Sequence, residues 1–307
     1  MNVVPHQRTS RRELSAAERI PYSIHVGAEV IKTTQGDYVQ VFRLAGASFE
    51  CADDEMLNSW HERLNVLWRN IASPQLALWC HVIRRRQATA VPDRSADFAS
   101  ALEHKYRAKL RDEKLMINEL YLSTVYRPTA GLASGLASQL FKHGAFSGAA
   151  LVDALEACEK LRETLRASLS RYEPEVLSLY KRAGRIYSEP LNLFATLING
   201  EVSEVPMPWA SLNQALVTSR LSFGTEALEY RLPTATRTAA ILAIKEYPTP
   251  TQVAMFARLL SVPFPFVLTQ SFGFLSKASG QALLQRQDLV QRQRADGAGK
   301  KQRLRLW

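Results

Sequence analysis

The stretch that looks most like a chemical motif is at residues 294–307, "RADGAGKKQRLRLW", whose centre "GAGKK" resembles half of a phosphate-binding loop. Such a loop needs G-x-x-x-x-G-K-[ST]: glycines let backbone N–H groups wrap the phosphates, the lysine reaches the β and γ oxygens, and a hydroxyl binds magnesium. With Gly299 and Lys300 in register, Arg294 stands at the first glycine position and Lys301 at the hydroxyl position. The preceding segment reads as a polar helix and not as the buried strand that the motif requires. The stretch is therefore read as a solvated basic tail.

The other candidates fail on single residues. "HERLN" at residues 61–65 approaches the H-E-x-x-H pattern, in which two histidines one helical turn apart bind zinc, but Asn65 replaces the second histidine. His61 and Glu62 are read instead as the flank of a helix. "GASFE" has Glu50 where a nucleophile elbow needs its last glycine, and in "ILAIKE" Lys245 interrupts what could have been a magnesium-binding acidic pair. Arg84, Arg85 and Arg86 could meet phosphate or an acidic partner, or simply form a solvated strand end. Cys51, Cys80 and Cys158 are an odd number with no C-x-x-C pair, so neither a disulfide framework nor a zinc knuckle is indicated. No catalytic, cofactor-binding or metal-binding residue is assigned.

The elements that would position such groups follow from hydrophobic period. "AEVIKTT" and "DYVQVFRL" flank Gln35 and Gly36 as a hairpin. In "DDEMLNSWHERLNVLWRNI" Leu57, Trp60, Leu64, Leu67, Trp68 and Ile71 share one helical face, with Asp53 as N-cap. "QLALWCHVIRR" and "MINELYLSTVYR" read as strands, separated by a charged helix over 98–114. Residues 129–150 are rich in Gly, Ala and Ser and read as a loop. Leu151, Leu155, Cys158, Leu161, Leu165 and Leu169 then mark a long helix ending before Pro174. Beyond it come the strand-like runs "RLSFGTEALEYRL" and "RTAAILAIKEY". A helix follows with Thr249 as cap, Pro250 at its first position and Gln252 closing a capping box, then the strand "PFVLTQSF" and a polar helix over 276–293. The charge-free run 259–276 is too interrupted by Pro263, Pro265, Gln270 and Gly273 to span a membrane and reads as buried strand and turn.

The expected fold class is α+β: two layered units with largely antiparallel sheets and helices on one face, in a β-β-α-β-α-β-like order. The expected divisions are a basic lead at 1–19, an N-terminal unit at 20–128, the loop at 129–150, a connecting helix at 151–172, a second unit at 173–293 and the basic tail at 294–307. The formal charge of +10 raises nucleic acid as a partner, yet residues 286–307 hold seven basic residues against two acidic ones, half of the excess. Aromatic residues do not interleave with the basic ones, which further weakens a nucleic-acid groove. The first twelve residues carry three arginines and no apolar stretch behind them, so no secretory signal is read and the expected compartment is the cytoplasm.

Several stretches together resemble the N-terminal and central regions of the CagE/TrbE/VirB family, the VirB-type ATPases of type IV secretion and conjugal transfer systems. They are "IPYSIHVGAEVIKTTQGDYVQVFRLAGASFECADD", "LNSWHERLNVLWRNIASPQLALWCHVIRR", "YSEPLNLFATLINGE", "IKEYPTPT" and "PFPFVLTQSFGFLSK", in order from about Ile20 to Gln293. The resemblance implies a cytoplasmic protein, peripheral on the inner membrane, that works with other secretion subunits and forms a homo-oligomer in full-length form. In the family ATP and magnesium are held by a motor domain downstream of these stretches, so no cofactor is expected in this chain and no catalytic residue carries over. The expectation is a truncated ATPase component serving as a subunit-docking and assembly module, the family pattern giving way to the basic tail near Gln293, as a frameshift or truncation would produce. The alternatives are an ATP-binding transport ATPase in its own right and a nucleic-acid binder through the tail.

Overall fold

The computed structural model describes residues 15–49, 51–87, 98–112, 115–128, 148–233, 235–244, 255–276 and 279–288. The basic lead up to residue 14, most of the Gly/Ala/Ser-rich stretch, the cap residues Thr249, Pro250 and Gln252, and the tail from 289 onward lie outside them.

The expected first hairpin is present. Strands β2 (Ile31–Thr33) and β3 (Tyr38–Leu44) pair antiparallel with Ile31 opposite Val39. Gly36 takes φ +89°, which an L side chain adopts only with strain, and Thr33 Oγ1 accepts from the N–H groups of Gln35 and Asp37. A further strand, β1 (Tyr22–His25), precedes this pair on the β2 edge. Helix α1 (Asp54–Asn70) begins where the sequence places it: Asp53 Oδ1 accepts from the Met56 N–H at 2.7 Å. Strands β4 (Leu76–Arg86) and β5 (Met116–Tyr126) pair along their whole length, with helix α2 (Phe98–Asp112) between them in sequence. Helix α3 (Gly148–Ser168) buries Ala154, Cys158 and Leu165 on the expected face.

Two strands from beyond residue 173 enter the same sheet. Strand β6 (Pro174–Val176) lies beside residues 42–44 of β3, sharing that edge with β2, and β12 (Phe266–Gly273) pairs with β4 across eight residues. The order is β1-β2-β3-β5-β4-β12, and every pairing is antiparallel. Strands β7 (Leu179–Arg182) and β8 (Arg185–Ser188) form a separate hairpin. Helices α4 (Glu189–Asn199) and α5 (Leu212–Ala215) follow. A meander of β9 (Arg220–Phe223), β10 (Leu228–Arg231) and β11 (Thr236–Ala239) comes next. The fold is mixed α and β with antiparallel sheets, as expected.

The core corrects the expectation that helices cover one face. Successive residues of a strand point to opposite faces, and on β3 residues Tyr38 to Phe42 are all buried. Phe42 joins Leu76, Leu78 and Leu122 beneath Leu67 of α1 and Leu165 of α3. Val39 and Val41 point the other way and join Ile31 and Ile83 against Leu191, Phe194 and Ala195 of α4 and Leu212 of α5. Tyr22 stacks on Phe194 at 3.9 Å between ring centroids.

The second half departs from its reading in four places. "RLSFGTEALEYRL" is a hairpin, β9 and β10, and not one strand, because Gly224 and the residues after it turn the chain. Among its described residues "RTAAILAIKEY" is strand only within β11, and Ile241 and Leu242 are strongly exposed. The described part of the expected helix near 256–260 is a 3-10 helix, Ala257–Ser261. The run 259–276 does contain a strand, but it is not buried: β12 is an edge strand with Val267 and Phe272 open to solvent. The β-β-α-β-α order read there is replaced by three strands, two helices and four more strands, the last of them after the 3-10 helix; the polar helix expected over 276–293 is present, helical over the described residues 279–288.

Candidate functional site

The structure does not bring the sequence candidates together. His61 and Glu62 lie on the exposed flank of α1, away from Leu64, Leu67 and Trp68, which face the sheet. Among the described residues no group of three or more His, Cys, Asp and Glu side chains is placed to hold a metal ion. Cys51 is exposed, Cys80 half-buried and Cys158 buried, all with free thiols. Burial pushes the Cys158 thiol up to about 11, so it behaves as a small apolar core group and not as a nucleophile. Glu50, Lys245 and the residues of the basic tail lie outside the described residues.

Within the arginine run, Arg84 has a different role from either reading given to it. Arg84 is buried; its Nε donates to the Val262 carbonyl at 2.6 Å and its Nη1 to Asn118 Oδ1 at 2.9 Å. Asn118 Nδ2 in turn donates to the Leu260 carbonyl at 3.0 Å. Arg85 pairs with Glu119 across the β4–β5 ladder. Only Arg86 is a solvated strand end. Arg84, with Asn118, is therefore an internal clasp that holds residues 260–262 against the sheet.

A cleft of about 660 Å³ opens where β3, β5 and β6 meet the end of α3, lined by Arg43, Glu119, Arg166, Glu173 and Glu175 among others. Its charges are largely consumed in pairs, Arg43 with Glu175 and Arg85 with Glu119. Carboxylates already engaged by a guanidinium are poorly placed to exchange a proton with a substrate.

The groups that sequence reasoning missed surround α4. His25 Nε2 lies 2.9 Å from Ser188 Oγ, and His25 Nδ1 lies 3.1 Å from the Gly27 carbonyl. A carbonyl only accepts, so Nδ1 carries the proton and Nε2 accepts from the serine hydroxyl. The pair has the connectivity of a nucleophile and its base, but Ser188 is fully buried and its Oγ accepts from the Leu191 N–H as the N-cap of α4. It closes a helix end and does not reach substrate. Further along α4, Asn192 Oδ1 accepts from the Val205 N–H at 2.6 Å. Buried Asn199 donates to the Ala195 and Leu216 carbonyls and accepts from the N–H groups of Thr218 and Ser219 and from Ser219 Oγ. The available signal was Ser188-Glu-Pro before the apolar run and Gly200 after it, a capped start and stop.

Burial lowers the affinity of both His25 and His81 for protons; His81 bridges β4 to β12 through Nδ1 and Thr269 Oγ1 at 2.9 Å. Groups held neutral in the folded state are protonated first in the unfolded chain, so stability is full above the ordinary histidine range and falls as pH drops below about 6.5. Urea midpoints at pH values on either side of this range should show the loss, and the double variant His25→Gln, His81→Gln should show a smaller one. An identical loss in the variant would assign the acid sensitivity to other groups.

Family models match both halves of the chain. Residues 29–133 match the model described as type IV secretion system ATPase VirB4/TrbE, N-terminal domain, and residues 175–302 match that of the CagE, TrbE, VirB family, component of type IV transporter system. The chain belongs to the CagE/TrbE/VirB family. Among its relatives, type IV secretion system protein virB4 of Bartonella quintana is 34% identical over 280 residues, covering 90% of this chain and 36% of the relative. PtlC of Bordetella pertussis is 35% identical over 291 residues, covering 91% and 34%. The virB4 protein of Brucella melitensis is 33% identical over 298 residues, covering 93% and 36%. The chain thus spans about a third of the length of the relatives it matches. The CagE/TrbE/VirB match continues to residue 302, so the family pattern does not stop near Gln293 as read from the sequence. The two matches meet in one sheet: β2 to β5 belong to the first, and β6 and β12 to the second.

Proposed function

We propose that this chain is a docking and assembly module of a type IV secretion ATPase: it contacts other secretion subunits at the cytoplasmic face of the inner membrane, while ATP and magnesium are bound outside it. The observation that carries the reading is surface left open by the fold. On α2 the side chains of Phe98, Leu102 and Tyr106, one helical turn apart, are 81%, 58% and 62% exposed. A helix of this length is marginal alone, and its apolar stripe needs a partner. No helix among the described residues is long and apolar enough to cross a membrane, so attachment in this reading is peripheral.

The match of residues 29–133 to the N-terminal domain of a type IV secretion ATPase favours a second reading, ATP binding by this chain itself. Titration with labelled ATP and magnesium separates the two: no saturable binding at micromolar concentration is expected, and saturable binding would defeat the first reading. The positive arm is co-purification with the other secretion subunits, which Phe98→Glu with Leu102→Glu should weaken; unchanged recovery would remove α2 from the docking surface.

A further inference from the structure

We infer that the β7–β8 hairpin and the loop carrying Trp209 form a contact surface for an anionic phospholipid bilayer, a proposal that rests on the reading that the chain works at a membrane face. The hairpin turns through Ala183 and Gly184, both at positive φ (47° and 76°), the geometry of a tight two-residue turn between Arg182 and Arg185. The following chain returns beside β8: Pro206 bridges Tyr187 antiparallel, and the Met207 N–H donates to the Ile186 carbonyl at 2.8 Å. Because the bridge is antiparallel, the chain runs from Pro206 toward the turn of the hairpin, and Trp209 follows there.

Trp209 is fully exposed, and no described residue shelters the indole. Its position is nonetheless fixed. Met207 packs on the core below, Pro206 and Pro208 restrict the backbone on either side of it, and buried Leu212 anchors the chain after it. A tryptophan held outward without a pocket is suited to the interfacial zone of a bilayer, where its apolar ring and its N–H are both accommodated. Lys181, Arg182 and Arg185 are exposed around the turn, with Ile186 half-exposed beside them. The carboxylate paired within this group is Glu204, bound to Arg182, so the hairpin presents net positive charge to anionic headgroups. Each basic residue at such a surface strengthens attachment by about five-fold at physiological salt. One indole and a few cations give reversible attachment, which suits a peripheral subunit.

The test uses the full chain and sedimentation with vesicles of phosphatidylcholine alone or mixed with phosphatidylglycerol. The protein should sediment with the anionic vesicles, less so as salt rises, and not with the neutral ones. Trp209→Ala should lower the partition by about ten-fold, and Lys181→Glu with Arg185→Glu by about five-fold or more for each reversal. All three side chains are exposed, so folding should be unaffected, which circular dichroism checks. Failure of the unaltered protein to bind anionic vesicles overturns the proposal, while the α2 docking arm above still decides the module reading. Binding that persists in these variants but is lost in Leu102→Ser overturns the assignment to this surface and moves the contact to α2. Loss of recovery of secretion subunits in Trp209→Ala, with no vesicle binding by either protein, would make the surface a protein contact instead.

Discussion

Replacing Asn199 with leucine is expected to lower the free energy of unfolding by roughly 3–5 kcal/mol, since each buried partner left unsatisfied costs about 1–3 kcal/mol. Asn199 is 2% exposed and makes five hydrogen bonds, two as donor and three as acceptor. They tie the last turn of α4 to the end of α5 and to the entry of β9, so one side chain closes three backbone segments. Leucine fills a similar volume but leaves the Leu216 carbonyl and the Thr218 and Ser219 N–H groups without their partner. Asn199→Asp keeps the acceptors yet points a carboxylate oxygen at two carbonyls, and should be at least as damaging. Urea denaturation measures the effect, with Asn213→Leu as comparison: that residue is half-buried and makes one bond, to the Ala17 carbonyl. A loss below about 1 kcal/mol for Asn199→Leu would mean that backbone groups or water replace the network.

Local rules made much of the first half legible. The face of α1, its Asp53 cap, the Gln35-Gly36 turn and the strands β3, β4 and β5 each follow from spacing within a dozen residues. What could not be read is which strands find one another at long range. Pairing of Thr269 with His81 joins residues 188 positions apart, and nothing in "PFVLTQSF" specifies β4 as its neighbour. The two-faced burial of β3 was hidden by Gln40, which looks like the solvent side of an alternating strand but is 1% exposed. Neither amide atom of Gln40 finds a hydrogen-bond partner, a cost that sequence patterning has no means to anticipate. Helix α4 was missed for the opposite reason. Its residues are apolar nearly all round, with six of them buried, so it lacks the polar face by which a surface helix is recognised. The open apolar surfaces were missed because exposure of Phe98 or Trp209 is a property of what the fold fails to cover.

The clasp at Arg84 leads to the second large effect. Arg84→Met should cost about 2–4 kcal/mol, since hydrogen bonds from a charged donor contribute roughly 1.5–3 kcal/mol each and their buried acceptors would be left open. The damage should be local. Arg84 holds the Val262 carbonyl directly and, through Asn118, the Leu260 carbonyl, so the 3-10 turn Ala257–Ser261 and the first residues of β12 would lose their attachment. The β4–β5 ladder, paired over eleven residues, should survive. Amide hydrogen exchange distinguishes the two regions: protection should fall over 257–268 and persist over 76–83 and 119–126. Arg84→Lys should restore little, because a single ammonium cannot reach both acceptors in the fork geometry of the guanidinium. Uniform loss of protection across the sheet would show that β12 is integral to the global fold. Unchanged protection would show that the backbone pairing of β12 with β4, and the His81–Thr269 bond, suffice to hold that edge without the clasp.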